Sequence, residues 1–341
     1  MAGIDVFKAD AFSMASMLKA IENVDYKPQL LGSLNLFTPN PIRTRVVTVE
    51  NRDNVLSLIP TSPIGAPPSQ LSADKRAVRN FNTVRIAKQS RIMADEIQGI
   101  RAYGSETELM QVQAEVARRL QRLHDDVELT WEFHRLGAVQ GILADANGDP
   151  IFNYFTEFGV TQPDVVEFDF DTLANGAVRA LIEGSIVRPM IRAAKGAITT
   201  SSRIVALVGD DFWDAFVANV EVRTSYLNWE AAASLRDATA FSSFRYAGVE
   251  WINYRGTDDN STVAIGADEA KFFPSNAPGV FEVAWAPAEF MDAANRPGVP
   301  VTPLTLPDPS GRDAFVDVEV YSYPLFIVKR PLTLRRAALA T

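Results

Sequence analysis

Few residues of this chain are of the types that catalytic and metal sites use. Among its 341 residues there is no cysteine, and the only histidines are His124 and His134. A disulfide framework, a thiolate metal site and a cysteine nucleophile are therefore excluded. The two histidines lie ten residues apart on a predicted helix, on different faces, so we do not expect them to share a metal ion. The sequence predicts no metal site and no cofactor.

Known catalytic and phosphate-binding motifs are also missing from the sequence. We find no phosphate-binding glycine loop, no G-x-S-x-G nucleophile turn and no H-E-x-x-H zinc motif. The segment 169–180 has partly the spacing of a calcium loop, but Leu173 stands where an oxygen ligand is needed. Ala180 replaces the final glutamate of such a loop. We therefore interpret its carboxylates as polar residues at the end of a strand.

One pair of carboxylates remains as a candidate for chemistry. The apolar run Arg203–Val208 predicts a buried strand, followed by a turn into a helix with Asp210 as its N-cap. This arrangement would place Asp210 and Asp211 at the end of a strand. One hypothesis is therefore a soluble α/β hydrolase or ligand-binding enzyme centred on these two residues. The absence of an accompanying base and nucleophile weighs against it.

Composition and charge narrow the class of protein further. Hydrophobic residues make up 47% of the chain and charged residues 22%, which is typical of a protein with a packed core. The net charge of −9 disfavours nucleic-acid binding through overall charge. The start has no signal-peptide pattern, and no apolar run approaches the roughly 18 residues of a membrane span. We expect a soluble protein that does not associate with membranes.

The first 95 residues predict extended structures that need a partner. Residues 1–40 are predicted as an arm whose apolar side chains bury little by themselves. Thr44–Ile59 and Lys75–Met93 are predicted as the strands of a long ribbon, with a proline-rich tip at Pro60–Ser69. Because an isolated two-stranded ribbon is marginally stable in water, a neighbouring subunit is a natural support for it.

The segment 75–122 carries ten basic and five acidic residues within an acidic chain. Such a segment could contact phosphates, pair with acidic surfaces of adjacent subunits, or form a solvated helix face with local ion pairs. We favour pairing between subunits, because the basic residues extend along the ribbon that needs a partner.

A long helix is the strongest local signal in the sequence. Ser105 and Glu108 fit a capping box, and apolar residues then recur every three or four positions. A helix from Ser105 to Gly141 would be about 55 Å long, which suits a scaffold spine. It leads into a predicted hairpin over residues 142–155, where Asn147 and Gly148 favour a tight primed turn.

The remainder of the chain predicts mixed helices and strands. A second helix is expected over Thr172–Ala197, with Pro189 bending or ending it. Val299–Pro309, with four prolines, is predicted as a loop. Strands are predicted at Val165–Phe170, Arg203–Val208, Phe244–Tyr254, Val280–Ala286, Val316–Tyr321 and Leu325–Lys329.

The order of these elements resembles a known family. The stretches ELTWEFHRLGAVQGILADANGDPIFNYF, IVALVGDDFWDAF, YRGTDDNSTVAIGADEAKFFPSNAPGVFEVAWAPAEF and EVYSYPLFIVKRPLTLRRAAL carry the resemblance. With the arm and the ribbon, they are similar to the lambda-type major capsid proteins of tailed bacteriophages, phage major capsid protein E, which have the Hong Kong 97-like fold. The resemblance covers nearly the whole chain.

The resemblance implies an α+β fold with four parts. These are an N-terminal arm (1–40), an E-loop ribbon (41–95), a P-domain (96–200 and 310–341) around the spine helix, and an A-domain (201–309). It also implies a structural subunit, without catalysis, of an icosahedral shell of hexamers and pentamers. The relative that names the fold cross-links its subunits, but no cross-linking is expected here, because the predicted ribbon has only Lys75 near its tip. The shell would form as a procapsid, mature by rearrangement, and enclose double-stranded DNA without sequence-specific binding.

Further partners follow from the same resemblance. A separate scaffolding protein and a portal are expected, with or without a decoration protein. The capsid subunit itself is expected in the virion, after assembly in the host bacterial cytoplasm.

Apolar arm and ribbon residues would lose water between subunits, and arginine–carboxylate pairs would set the register. The predicted assembly residues are Phe12, Leu18, Phe37, Ile64, Pro67, Pro68, Arg76, Arg79 and Arg85.

Overall fold

A computed structural model describes most of the chain. It covers residues 30–52, 76–99, 108–170, 172–173, 176–224, 243–254, 264–312 and 314–340. Most of the predicted arm, the ribbon tip and the capping-box residue Ser105 lie outside the described residues. The same is true of five predicted assembly residues: Phe12, Leu18, Ile64, Pro67 and Pro68.

The described residues form both helices and strands. The helices are α1 (Leu30–Ser33), α2 (Ala94–Gly99), α3 (Glu108–Gln140), α4 (Tyr154–Glu157), α5 (Ala177–Leu181), α6 (Arg188–Ala193) and α7 (Asp210–Ala218). A π-helical turn, Ile182–Val187, joins α5 to α6, and residues 220–224 are also helical. Short 3-10 turns lie at Met291–Ala293 and Pro331–Thr333.

The strands form three sheets and two ribbons. They are β1 (Thr38–Pro41), β2 (Val46–Arg52), β3 (Arg76–Asn82), β4 (Ile86–Met93), β5 (Ile142–Ala144), β6 (Pro150–Asn153), β7 (Val165–Phe168), β8 (Arg203–Val208), β9 (Ser243–Tyr246), β10 (Val249–Asn253), β11 (Glu269–Ser275), β12 (Phe281–Trp285), β13 (Thr302–Pro307), β14 (Phe315–Ser322), β15 (Pro324–Val328) and β16 (Arg335–Leu339). A mixed six-stranded sheet has the order β7-β16-β11-β8-β10-β9, and the two three-stranded sheets are β13-β14-β4 and β1-β12-β15. The ribbons are β2-β3 and β5-β6. Helices packed on mainly antiparallel sheets make this an α+β fold, as predicted.

Helix α3 is the predicted spine. Its apolar stripe is buried at Val116, Leu120, Leu123, Val127 and Trp131, at spacings of three or four residues. The helix is 33 residues long, about 50 Å at 1.5 Å per residue. It ends at a glycine with a φ of +84°, Gly141, where a Cβ atom would lie 2.4 Å from the ring of Phe155. Only glycine fits this helix end.

The second predicted helix is interrupted rather than ended by its proline. The π-helical turn ends at Val187, two residues before Pro189, and the chain remains helical to the end of α6. Proline has no N–H and its ring crowds the preceding turn of a regular α-helix. A wider turn at this point is a known way to accommodate such an irregularity without breaking the helix.

Two predicted features of the strands are wrong. Lys75–Met93 is two strands rather than one: β3 pairs with β2, whereas β4 pairs with β14 across eight residues. Val299–Pro309 is not all loop, because it contains β13. The prolines of β13 are tolerated because it lies at the edge of its sheet, where a strand needs hydrogen bonds on one side only.

The predicted hairpin after the spine is present, but its turn is not a primed one. A primed turn needs positive φ at both Asn147 and Gly148, and only Gly148 has it, at +90°. Instead, the amide of Gly148 donates to the carbonyl of Asp145 at 3.0 Å, and the Asp145 carboxylate accepts from the amides of Asn147 and Asp149. The Asp145 side chain therefore stabilises a longer loop that ends in a glycine bulge.

The six-stranded sheet separates two hydrophobic cores. On one face, residues such as Val205, Leu207 and Phe273 pack with the spine helix, the ribbon base and the closing strands; we call this the spine core. On the other face, residues such as Ala206 and Phe272 pack with α5, α6 and α7; we call this the aromatic core. Alternate residues of the same strands thus contribute to different cores, as the pleat requires.

Candidate assembly surfaces

The inner face of the ribbon base is fixed to its own chain. Val47, Val49 and Phe81 are buried there. The ring of Phe81 lies 5.5 Å from that of Phe152 in β6 and 5.8 Å from that of Phe158. Because large apolar side chains on both strands are packed against the hairpin after the spine, the direction in which the ribbon leaves the subunit is set.

The outer face of the ribbon base is exposed. Val46 is 40% exposed and Val78 is 61% exposed. Between them, the hydroxyl of Thr48 donates to the amide oxygen of Asn80 at 3.0 Å. Val46, Thr48, Val78 and Asn80 therefore form a surface of mixed apolar and polar residues that faces away from the subunit, which we call the outer ribbon face. The register places Asn82 opposite Val46 and Glu50 opposite Val78 on the same face.

The described assembly residues have partners within the chain. The ring of Phe37 lies 5.2 Å from those of Phe281 and Phe326. Arg79 places its guanidinium 5.9 Å from the centre of the Phe158 ring, on the inner face of the ribbon base. Their predicted roles between subunits remain predictions.

Arg85 has an acidic partner within the chain, and Arg76 is described by its place in the ribbon. The Arg85 guanidinium pairs with Glu289 at 3.0 Å and lies 5.2 Å from the centre of the Tyr321 ring. This pairing with Glu289 raises the pKa of Arg85. Arg76 stands opposite Arg52 at the far end of the described ribbon. For both, contact with a neighbouring subunit remains a prediction.

The first described residues of the arm are tied to the spine helix by a buried carboxylate. Glu132 is fully buried and accepts hydrogen bonds from the amides of Leu31, at 2.7 Å, and Gly32, at 3.1 Å. Arg135 donates to the same carboxylate at 3.2 Å, and the hydroxyl of Tyr254 lies 3.5 Å from it. The start of α1, the spine and the end of β10 thus meet at one group.

A second carboxylate next to this one is poorly satisfied. Glu128 has a buried Oε2 that lacks a hydrogen-bond partner, although Arg135 lies 3.8 Å away. Burial raises the pKa of Glu128 to about 7, with Arg135 opposing the rise and Glu132 adding to it. We call Glu128, Glu132, Arg135 and Tyr254 the arm-root cluster. One guanidinium faces two carboxylates there, so ionising both is costly.

The arm-root cluster is the main feature that sequence reasoning missed. Glu128, Glu132 and Arg135 follow one another at spacings of four and three residues along the spine helix. That spacing puts them on one face, beside the apolar stripe, and is the signal that could have indicated a buried network.

Of the two histidines, His134 is buried and neutral, because burial lowers its pKa to about 4.

The basic segment lines a groove between β4 and the spine helix. A cavity of about 420 Å³ is bordered there by four basic side chains: Lys88, Arg118, Arg119 and Arg122. Local pairs neutralise much of this charge, because Lys88 pairs with Asp126 at 2.7 Å and Arg119 with Glu115 at 2.8 Å. The structure therefore contains the local ion pairs that were one of the three interpretations of this segment.

Asp210 and Asp211, the two carboxylates of the enzyme hypothesis, are the first two residues of α7. Gly209, not Asp210, is the N-cap of α7, because its backbone is extended and Asp210 is already helical. Glycine is required at this position, since a Cβ atom there would lie 2.2 Å from the carbonyl oxygen of Gly266. Asp210 is the first helical residue and accepts a hydrogen bond from the Asn253 amide at 3.0 Å. Asp211 is exposed. Both carboxylates are favourably placed at the positive end of the helix dipole.

Two features are absent from the described residues. Within them, no three histidine, aspartate or glutamate side chains converge where they could hold a metal ion. None of the helices in the described ranges is long and apolar enough to cross a membrane.

Comparisons with known proteins agree with the predicted resemblance. The chain is 24% identical to the major capsid protein of Salmonella phage Felix O1 over 95% of both chains. It shares its fold with a prophage capsid protein from E. coli CFT073, at a TM-score of 0.60 and 14% identity over 96% of this chain and 99% of that one. The capsid protein of cyanophage P-SCSP1u gives a TM-score of 0.53 at 9% identity, over 93% and 90%.

The predicted fold class and the predicted role as a capsid subunit are confirmed by these findings. The model of the family described as phage major capsid protein E matches residues 13–339, which is nearly the whole chain. The chain therefore belongs to the phage major capsid protein E family and is a structural subunit of a phage capsid.

Proposed function

We propose that copies of this chain form the hexamers and pentamers of an icosahedral shell that encloses double-stranded DNA. The observation that carries the proposal is the two-sided ribbon base. Its inner face is buried on the subunit, whereas its outer face exposes Val46 and Val78. A single chain gains nothing from an exposed apolar ribbon, but a chain that meets its own copies buries that surface.

In this account assembly proceeds by association without bond chemistry. Fully burying a valine contributes about 1.5–3 kcal/mol, and Val46 and Val78 are already partly buried, so a single ribbon contact is weak. Closed symmetry repeats the contact around every ring of subunits, and many weak contacts then give a stable shell. Weak individual contacts also allow wrongly placed subunits to leave before the shell closes.

We further propose that the shell forms as a procapsid and matures by rearrangement of the ribbon. Residues 83–85 separate β3 from β4, and the two strands differ in how they are held. β4 is paired with β14 along its whole length, whereas the ribbon base is held through the side chains around Phe81. The ribbon can therefore change its angle at residues 83–85 while the sheet stays intact.

The remaining partners belong to the same proposal. A separate scaffolding protein and a portal complete the assembly, with or without a decoration protein, in the host bacterial cytoplasm. The net charge of −9 supports enclosure of DNA without sequence-specific binding.

We also propose that the subunit has no catalytic activity. In support, the described hydrogen bonds connect neither Asp210 nor Asp211 to a base or nucleophile.

Negative-stain electron microscopy tests the proposed function. The protein is expressed alone and together with the neighbouring phage genes, and both preparations are imaged. We expect closed shells, tubes or hexamer rings. A uniform small particle in both preparations would contradict the proposal and return attention to Asp210 and Asp211.

A further inference from the structure

A small cavity lies where the spine helix ends against the six-stranded sheet. Its volume is about 100 Å³. The apolar part of its lining includes Val139, Ile142, Phe155 and Leu334. Polar side chains complete the lining: Gln140, Gln162, Lys271, Arg335 and Arg336.

Two of the cations in this cavity face each other. Lys271 in β11 and Arg336 in β16 are directly opposite in antiparallel strands, so their side chains share the face of the sheet that meets the spine core. Like charges in this position repel each other. Lys271 is compensated by Glu269 at 2.8 Å. Arg336 has no such carboxylate among the described residues, and its Nε is buried without a hydrogen-bond partner.

The two carboxamides add further donors. In the part of the chain that the structure describes, neither Gln140 nor Gln162 has a side-chain hydrogen bond to another residue. The cavity therefore brings together a guanidinium, an ammonium and two amide groups, with the single carboxylate of Glu269 near them. The Nε of Arg336 is buried, and buried donors are normally paired, so this guanidinium lacks an acceptor.

We propose that this cavity is a binding site for one small oxyanion, held chiefly by Arg336 with Lys271, Gln140 and Gln162 as further donors. A cavity of about 100 Å³ holds a few water molecules, which suits a single carboxylate or phosphate group and excludes a nucleotide. The oxyanion is either free phosphate or a carboxylate side chain of a neighbouring subunit. The apolar lining suits the methylene groups of such a side chain.

Thermal unfolding of unassembled subunits with inorganic phosphate tests the site without depending on the proposed function. Sodium phosphate is compared with sodium chloride at equal ionic strength for the wild type, Arg336→Gln and Arg192→Gln. Arg192 is an exposed arginine in α6, outside the cavity, and is the matched control. We expect phosphate to raise the Tm of the wild type and of the control by about 2 °C, because a ligand that binds the folded state stabilises it. Arg336→Gln should lose this rise.

A second variant keeps the test valid if Arg336→Gln does not fold. Gln162 lies in a half-buried loop, so Gln162→Leu should fold and should show a smaller rise than the wild type. An equal rise in all variants, or no rise in the wild type, would overturn the proposal.

The same measurement on assembled shells distinguishes the two sources of the oxyanion. This part of the experiment rests on the proposed function. If a neighbouring carboxylate fills the cavity, phosphate will stabilise free subunits but not shells. If free phosphate fills it, both will be stabilised equally.

Discussion

The aromatic core and the spine core share a sheet but are built from different chemistry. In the aromatic core, the ring of Trp251 stacks on that of Phe216, with 4.2 Å between ring centres, and meets that of Phe272 edge-on at 5.3 Å. The polar residue buried at its edge, Asn253, is a neutral amide that donates to Asp210. Beside the spine core, Glu132 and His134 are buried as well. The spine core also collects residues from the arm root, the ribbon base and the closing strands.

This difference indicates that the two cores have different roles in the subunit. Apolar packing supplies stability but tolerates alternative partners of similar size. A buried carboxylate tolerates only the donors that match it, because any other arrangement leaves a charge unpaired. We infer that the aromatic core mainly stabilises the subunit, whereas the arm-root cluster determines where the arm leaves it.

The largest effect is expected in the aromatic core. Trp251→Ala should lower the free energy of unfolding by about 4 kcal/mol, because it removes a large buried side chain and leaves a cavity. Urea denaturation of unassembled subunits, followed by circular dichroism, measures it. Met291, which is 93% exposed, provides the control, since Met291→Ala should change little. A loss below about 1 kcal/mol for Trp251→Ala would contradict the role of this core.

Removing the carboxylate at the arm root should have the next largest effect. Glu132→Ala should lower the free energy of unfolding by about 3 kcal/mol, because the amides of Leu31 and Gly32 and the guanidinium of Arg135 lose their acceptor. It should also speed protease cleavage near residue 30. Glu132→Gln retains one acceptor oxygen and should lie between this variant and the wild type. Unchanged cleavage in Glu132→Ala would show that this carboxylate does not hold the arm.

The pH dependence of Glu128 should be smaller. Its folded-state pKa of about 7 exceeds its ordinary value of 4.5, so the folded chain binds more protons than the unfolded chain between these values. The contribution of Glu128 to the free energy of unfolding is therefore fully present below pH 4.5 and is lost as the pH rises to 7. The full shift corresponds to about 3 kcal/mol, and partial solvent screening reduces this to about 2 kcal/mol.

Glu128→Gln isolates this contribution. The variant is neutral at every pH, so it should match the wild type near pH 4.5 and become the more stable of the two by about 2 kcal/mol at pH 8. Urea denaturation of both proteins over this pH range measures the difference. Parallel pH profiles would show that the arm-root cluster tolerates a second charge.

Much of the fold was predictable because its signals are local. The apolar stripe of the spine and the apolar run of β8 predicted a helix and a strand that the structure contains. The exposed and buried faces of β3 also follow from simple alternation, with Phe81 buried and Val78 exposed.

Other features depend on contacts between distant residues. The prolines of β13 predicted a loop, because the sequence does not show that this segment lies at a sheet edge beside β14. Position 209 must be a glycine because residues 266 and 267 approach it closely. The arm-root cluster joins Leu31 to a residue 101 positions further along, which no local pattern reports.

The outer ribbon face should matter least for folding and most for assembly. Val78→Asp should lower the free energy of unfolding by about 1 kcal/mol at most, because the side chain is 61% exposed, although the new aspartate stands opposite Glu50 in the ribbon. A buried aspartate in an interface between subunits would instead be left without a partner. Ala87→Asp, at an exposed position in β4, is the matched control for an added charge.

The central claim is that the outer ribbon face meets another subunit. Electron microscopy of the wild type, Val78→Asp and Ala87→Asp under the same assembly conditions tests it most directly. We predict shells from the wild type and the control, and folded subunits without shells from Val78→Asp. Normal shells at normal yield from Val78→Asp would contradict the claim.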